Sequence, residues 1–166
     1  VIATQNPIEY AGTYPLPDSQ LDRFLMRLSI GYPSFADERE ILNRQRLAHP
    51  LDTLGSVLRR EEVVKLQELV RHVRMEDALM QYIVSITSQT RTIGRLEAGV
   101  SPRGSLALYR AAQAVALVEG RDFCIPDDVK AVVPSVLCHR LIFPHPRLER
   151  QTGVALDIVR EILQNI

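Results

Sequence analysis

"GVSPRGSLALYRAAQAVALVEGRD", Gly99 to Asp122, is the stretch whose reading decides the fold. From Leu106 to Val118 only Arg110 and Gln113 interrupt its apolar run. A helix that is apolar nearly all round must be covered on most sides, which places it at the centre of a bundle. Ser101 and Pro102 read as its N-cap and first helical residue, and Gly120 as the glycine that ends it.

Working outward toward the C-terminus, Pro126 opens a further helix with Asp127 and Asp128 in its first turn and apolar positions at Val129, Val132, Val133 and Val136. Pro134 falls inside that pattern and is expected to kink or break it. Residues Phe143 to Arg147 read as a loop, and Ala155, Ile158, Val159 and Ile162 predict a helix from Thr152 to about Gln164. In the other direction, Leu79, Ile83 and Ile86 form the seam of a helix starting at Glu76 and Asp77 and ending near Arg91. Arg59 to Arg74 is amphipathic, with Leu66, Leu69, Val70 and Val73 on one face. His49 to Ser56 reads as a loop, and Ser34 with Asp37 predicts a capping-box start for a helix through about Ala48.

Before Pro33 the period changes. Val1–Thr4 reads as a strand, and so does Met26–Ile30, where Met26, Leu28 and Ile30 alternate with Arg27 and Ser29. The expected fold class is mainly α: a helical bundle over residues 33–166, preceded over residues 1–32 by a remnant of α/β structure.

The 166 residues, 46% hydrophobic and 24% charged, suffice for one domain with a real core. Twenty basic residues balance twenty acidic ones and are scattered along the chain, so neither a nucleic-acid stripe nor a membrane-surface helix stands out and no direct nucleic-acid partner is expected. No apolar run approaches the roughly 20 residues that span a bilayer. With no leader-like start, and with Cys124 and Cys138 outside any CxxC spacing, a cytoplasmic protein with reduced thiols is expected. His49, His72, His139 and His145 have no partner at ligand spacing, so no metal site is expected. His139-Arg140 is expected to pack or cap near a helix C-terminus, where cations are favoured.

Three side chains are candidates for chemistry. Asn6 falls two residues beyond the first strand, where open α/β sheets bind ligands; its amide could orient a water or a phosphate oxygen, or it could simply close the turn before Pro7. Arg23, in "QLDRFL", is suited to bidentate phosphate recognition or to service as an arginine finger, and equally to a salt bridge with Asp18 or Asp22. Arg103, in "GVSPRGS", stands in the first turn of the central helix. The helix dipole disfavours a cation there, whereas an anion-binding role explains one.

"ATQNP" at Ala3–Pro7, "GTYPLPDSQLDRF" at Gly12–Phe24, "GYPS" at Gly31–Ser34, "SPR" at Ser101–Arg103, "GRDFCIPDDVK" at Gly120–Lys130 and "VLCHRL" at Val136–Leu141 together resemble the MoxR family of AAA+ ATPases. The resemblance runs through nearly the whole chain in the family's order. It implies that Asn6 is sensor 1, positioning the attacking water near the γ-phosphate of ATP. Arg103 would be sensor 2, reaching the same nucleotide from the lid, and Arg23 the arginine finger acting on the neighbouring subunit's ATP. Residues 1–32 would then be the end of the nucleotide-binding core and residues 33–166 the helical lid.

The resemblance further implies ATP and Mg²⁺ as cofactors, a hexameric ring of copies, and a chaperone-like role on a protein partner, possibly one with a von Willebrand factor A-type domain. Two departures are modest. Ile125 replaces the usual Thr or Ser before "PDDV", at a cost of about 1 kcal/mol of helix capping, and Tyr10-Ala11 replaces a more polar pair. Neither a G-x-x-x-x-G-K-[S/T] phosphate loop nor an apolar run ending in Asp-Glu occurs in the chain. The chain by itself is therefore expected to be inactive, and residues 1 to about 30 are expected to be disordered, mispaired or ordered by another copy. Two other readings are the magnesium chelatase or replicative helicase branch of AAA+ proteins, and a helical interaction module with no nucleotide role.

Overall fold

The computed structural model describes residues 1–5, 16–46, 49–144 and 152–166. Along these residues run α1 (Asp18–Leu21), α2 (Phe35–Arg44), α3 (Arg60–His72), α4 (Asp77–Thr92), α5 (Pro102–Val118), α6 (Pro126–Leu137) and α7 (Thr152–Asn165), with 3₁₀ turns at Pro50–Thr53 and Cys138–Arg140. The mainly α expectation holds. Helix α5 packs on α3, α4 and α6, while α7 closes the bundle against α4 and α6.

The core is what the helical spacing predicts. Ile86 of α4, Leu108 of α5, Val129, Val133 and Val136 of α6, and Ile158 and Val159 of α7 are essentially inaccessible to solvent. Gln113, one of the two polar interruptions of the central run, is buried too. Its Nε2 donates to the Val73 carbonyl at 2.6 Å and its Oε1 accepts from Arg110 Nη1 at 2.9 Å, so the buried amide ties the end of α3 to α5 with both of its functions used. By contrast α2 buries no residue, and Leu66 and Leu69 of α3 remain 42% and 51% exposed, so the apolar face expected for α3 is only partly covered.

Helix ends follow local chemistry. Ser34 Oγ accepts from the Asp37 amide at 3.2 Å and donates to its carboxylate at 2.7 Å, the expected start of α2, which ends at Arg44. At the end of α5, Gly120 adopts φ 76°, and the Gly120 and Arg121 amides donate back to Leu117 and Ala116 in a Schellman closure that a side chain at Gly120 would strain. Helix α6 runs through Pro134 as one element instead of breaking there. Pro134 is three residues from the end, and the turn beyond it is held from outside, because the Ser135 carbonyl accepts the Arg27 amide at 2.8 Å.

The strands expected at Val1–Thr4 and Met26–Ile30 are not formed: among the described residues the only β pairings are single bridges, Arg74 with Phe123 and Ala98 with Ile142. Alternation supplies one buried face, whereas a strand also needs a neighbour to complete its ladder. Here Met26 packs against the helical core instead. Residues 22–27, part of the segment expected to be disordered, mispaired or ordered by another copy, dock on the bundle of their own chain.

The connection between α5 and α6 shows what "GRDFCIPDD" does. Arg121 makes a bidentate pair with Asp128 at 2.7 and 2.5 Å and donates to the Phe123 carbonyl at 3.1 Å, while Asp128 also accepts the Ile125 amide at 2.8 Å. Asp128 thus supplies the half of a capping box that Ile125, having no acceptor, cannot reciprocate. The Arg121 bond chiefly, opposed by burial, holds the Asp128 carboxyl below its ordinary value. In Arg121→Met burial dominates and raises that carboxyl instead. Thermal denaturation of Arg121→Met should therefore occur below the parent at pH 7. The gap should narrow as pH falls below about 4, toward the depressed value at which the parent's Asp128 is protonated as well.

Candidate functional site

Two of the three predicted residues meet. Arg23, just beyond α1, and Arg103, in the first turn of α5, line one open groove of about 240 Å³. Arg110, two turns further along α5, lines it as well, with its guanidinium over the Tyr109 ring. Arg140 lines it too, so the groove's lining carries four arginines and one carboxylate, that of Asp22, which Arg103 and Arg140 approach. Asn6 lies outside the described residues.

The N-terminus of α5 is placed by the preceding loop. The Val100 amide donates to Thr90 Oγ1 at 2.9 Å and Arg91 Nε donates to the Val100 carbonyl at 2.8 Å, so the loop is laced to the last turn of α4. Thr87 and Thr90, both fully buried, prepare that surface; Thr90 Oγ1 donates to the Thr87 carbonyl and Thr87 Oγ1 accepts from Ser105. Ser101 occupies the N-cap position as expected, but its hydroxyl makes no cap bond. It donates instead to Asp22 Oδ2 at 3.1 Å, a charge-assisted bond. Arg103 Nη1 lies 3.8 Å from the same oxygen.

Asp22 is therefore shared, and its strongest partner is a residue that local pattern did not single out for chemistry. Arg140, whose side chain is 2% exposed, donates from Nε to Asp22 Oδ1 at 3.1 Å. It donates from Nη2 to the carbonyls of Asp22 and Phe24, and from Nη1 to those of Leu25 and Val136. All five guanidinium N–H groups are used, four of them on residues 22–25. Burial pulls the Arg140 guanidinium below its ordinary value, and the Asp22 charge opposes that. The expectation that His139-Arg140 simply packs or caps is thus too weak: Arg140 is buried and clamps a segment 115 to 118 positions away in sequence. His139 Nε2 lies 3.3 Å from the Phe24 carbonyl, and burial, then the Arg140 charge, push the imidazole down to about 4, so it is neutral at physiological pH.

Signals for Asp22 and Arg140 were present in "QLDRFL" and "VLCHRL", where charges interrupt apolar runs, but nothing in either stretch names the other as its partner. The groove suits a polyanion: Arg23, Arg103 and Arg110 are all exposed, and planar guanidinium groups pair bidentately with phosphate. A divalent cation finds no counterpart here, since among the described residues no group of three or more His, Cys, Asp or Glu is gathered. Among the described residues no helix is long and apolar enough to cross a membrane.

Residues 88–162 match the AAA lid domain, and residues 1–26 match the ATPase family associated with various cellular activities. The whole chain aligns with the uncharacterized protein YeaC of Bacillus subtilis at 48% identity, covering 52% of that protein. It aligns with chaperone MoxR1 of Mycobacterium tuberculosis at 38% identity, covering 46%. A magnesium-chelatase 38 kDa subunit of Acidiphilium rubrum is 30% identical over 73% of the chain, which covers 35% of the subunit. A solved structure of a proposed ATPase from Cytophaga hutchinsonii superposes with a TM-score of 0.86 at 28% identity, covering 98% of this chain and 52% of that one. The chain spans about half the length of the curated relatives it matches, YeaC and MoxR1. With YeaC and the MoxR proteins aligned along the whole of this chain, a matching lid and a shared fold, the chain belongs to the MoxR family of AAA+ ATPases.

Proposed function

We propose that this chain is the lid-bearing part of a cytoplasmic ATPase that works as a ring of copies, and that Arg23 and Arg103 act together on the triphosphate of ATP. The observation that carries the reading is their convergence on one groove beside Asp22. Arg23 and Arg103 would donate N–H bonds to phosphate oxygens and stabilise charge developing on the transferred group, the step at which phosphoryl transfer gains most from positioned cations. Asn6 would orient the attacking water as sensor 1. Bound Mg²⁺, held by residues of the upstream segment, would neutralise phosphate charge.

Sharing a groove has a consequence for which nucleotide is served. If Arg23 is the finger that reaches a neighbouring subunit, Arg103 reaches that same nucleotide, and not one bound by its own copy. Hydrolysis then reports the lid position of one subunit to the next. The work done would be chaperone-like, on a protein partner with a von Willebrand factor A-type domain. Support for this role comes from MoxR1, which is named a chaperone. Magnesium-chelatase subunits align less fully than the MoxR proteins, which favours the MoxR reading over the chelatase branch.

The test uses the protein with the upstream segment that its relatives possess. A phosphate loop encoded within roughly 150 residues before Val1, about one domain, is required; its absence would leave a helical interaction module. Arg103→Ala should lower ATP turnover about a hundredfold. Mixing it with a phosphate-loop mutant should restore turnover, because the active pair then takes its nucleotide from one copy and its Arg103 from the other. An unchanged kcat, or no recovery on mixing, contradicts a shared trans site.

A further inference from the structure

Arg23 and Arg103 are 80 positions apart in sequence, and among the described residues no backbone hydrogen bond joins their segments, so their place in one groove needs a cause. Neither is rigid alone: both are exposed, and long exposed side chains keep most of their rotamer freedom. What is rigid is the pair beneath them. Arg140 grips the backbone of residues 22–25 through three carbonyls and the Asp22 carboxylate, and it is itself rooted in α6 through the Val136 carbonyl. Asp22 then extends the grip to the start of α5, accepting from Ser101 and facing Arg103. The packing confirms how close this junction is: a Cβ added at Gly104, in the first turn of α5, would lie 3.0 Å from Arg140 Cδ.

We propose that Asp22 and Arg140 are a positioning pair that joins the "LDRF" segment to the lid as one body and so sets Arg23 and Arg103 at a fixed separation on the same phosphate group. The inference rests on the reading of Arg23 and Arg103 as nucleotide-contacting residues. Neither Asp22 nor Arg140 touches the nucleotide in this scheme; Asp22 is held at 24% side-chain exposure by its partners and Arg140 is buried. Their contribution is to remove the freedom of the arginine-bearing segment before the transition state is reached. Movement of the lid then carries both arginines at once, so one displacement engages or withdraws the whole cationic contact.

Arg140→Lys tests this directly, since lysine keeps the charge and loses the fork that makes five bonds. In the protein with its upstream segment, kcat should fall between about tenfold and a hundredfold, as expected for misplacement by an ångström or so, while KM for ATP stays within about twofold. Hydrogen exchange supplies the second readout. The Arg27 amide, bonded to the Ser135 carbonyl, should lose protection at least tenfold, and the amides of Leu108 and Ala112 in α5 should not change. If Arg140→Lys fails to fold, Asp22→Asn, which leaves the four carbonyl bonds of Arg140 intact, should show a smaller fall in kcat with the same unchanged KM. A core control, Ile162→Val, should lower thermal stability without altering kcat. The proposal is overturned if kcat is unchanged while Arg27 loses protection, if KM rises with kcat constant, or if α5 amides lose protection in parallel. If the parent does not turn over ATP at all, the ATPase reading fails first and the pairing loses its purpose with it.

Discussion

Arg23→Ala is expected to reduce ATP turnover of homogeneous rings by about a thousandfold, the lower end of what a trans-acting arginine contributes to phosphoryl transfer. The size of the effect follows from where Arg23 stands. It is exposed at the lip of a groove whose base holds a buried, fully bonded Arg140 and whose far side carries Arg103. Removing it should leave the bundle intact, because Arg23 is exposed and lies outside the buried core cluster, so nucleotide affinity and thermal stability should change little. Mixing Arg23→Ala with a phosphate-loop mutant should recover a measurable part of the turnover, in proportion to the number of adjacent pairs that combine an intact phosphate loop with an intact Arg23. Steady-state turnover across mixing ratios is the measurement. Failure to recover at any ratio would make Arg23 a residue of its own subunit's site or a structural one.

How far the sequence could be read depends on the range of each interaction. The bundle was legible because helical periodicity is local: Leu79, Ile83 and Ile86 in α4, and Ile158, Val159 and Ile162 in α7, are buried as their spacing predicts. Arg103 was legible because a cation in the first turn of a helix opposes the dipole and asks for another reason. The Asp22–Arg140 pair was not legible, since its partners are 118 positions apart and each has plausible neighbours nearby. Met26–Ile30 misled for the opposite reason. Only the first of its alternating apolar residues is covered: Met26 packs on the core, but Leu28 and Ile30 are 72% and 100% exposed, and among the described residues no second strand completes the ladder. Ser101 stands at the N-cap position as read, but its hydroxyl makes no cap bond and donates to Asp22, a partner 79 positions away that no local pattern names.

The stretch that decides the fold begins with a glycine, and Gly99→Ala is expected to be among the most damaging single substitutions in the bundle. A Cβ there would meet the Thr90 carbonyl carbon and oxygen at 2.5 Å and the Arg91 nitrogen at 2.6 Å, distances that no rotamer change can relieve because every atom involved is backbone. The loop must move off the end of α4, and the two bonds that lace it there, Val100 amide to Thr90 Oγ1 and Arg91 Nε to the Val100 carbonyl, are lost or stretched. Val100, fully buried, is pulled from the core in the same motion. Overpacking of this kind costs about 3 kcal/mol, which lowers the melting temperature of a domain this size by roughly 6–12 °C. Gly94→Ala is the matched control: it has no atom within 4 Å of its would-be Cβ, so it should be neutral or slightly stabilising. Both can be read in one thermal-melt series on the chain itself. A Gly99→Ala melt equal to that of Gly94→Ala would mean that the loop before α5 is not held against α4, and that the placement of Arg103 has another origin. The expected loss instead makes the tight approach of Gly99 the condition for presenting Arg103: the backbone must pass within contact distance of α4 for Ser101 to reach Asp22, and only a residue without a side chain passes there.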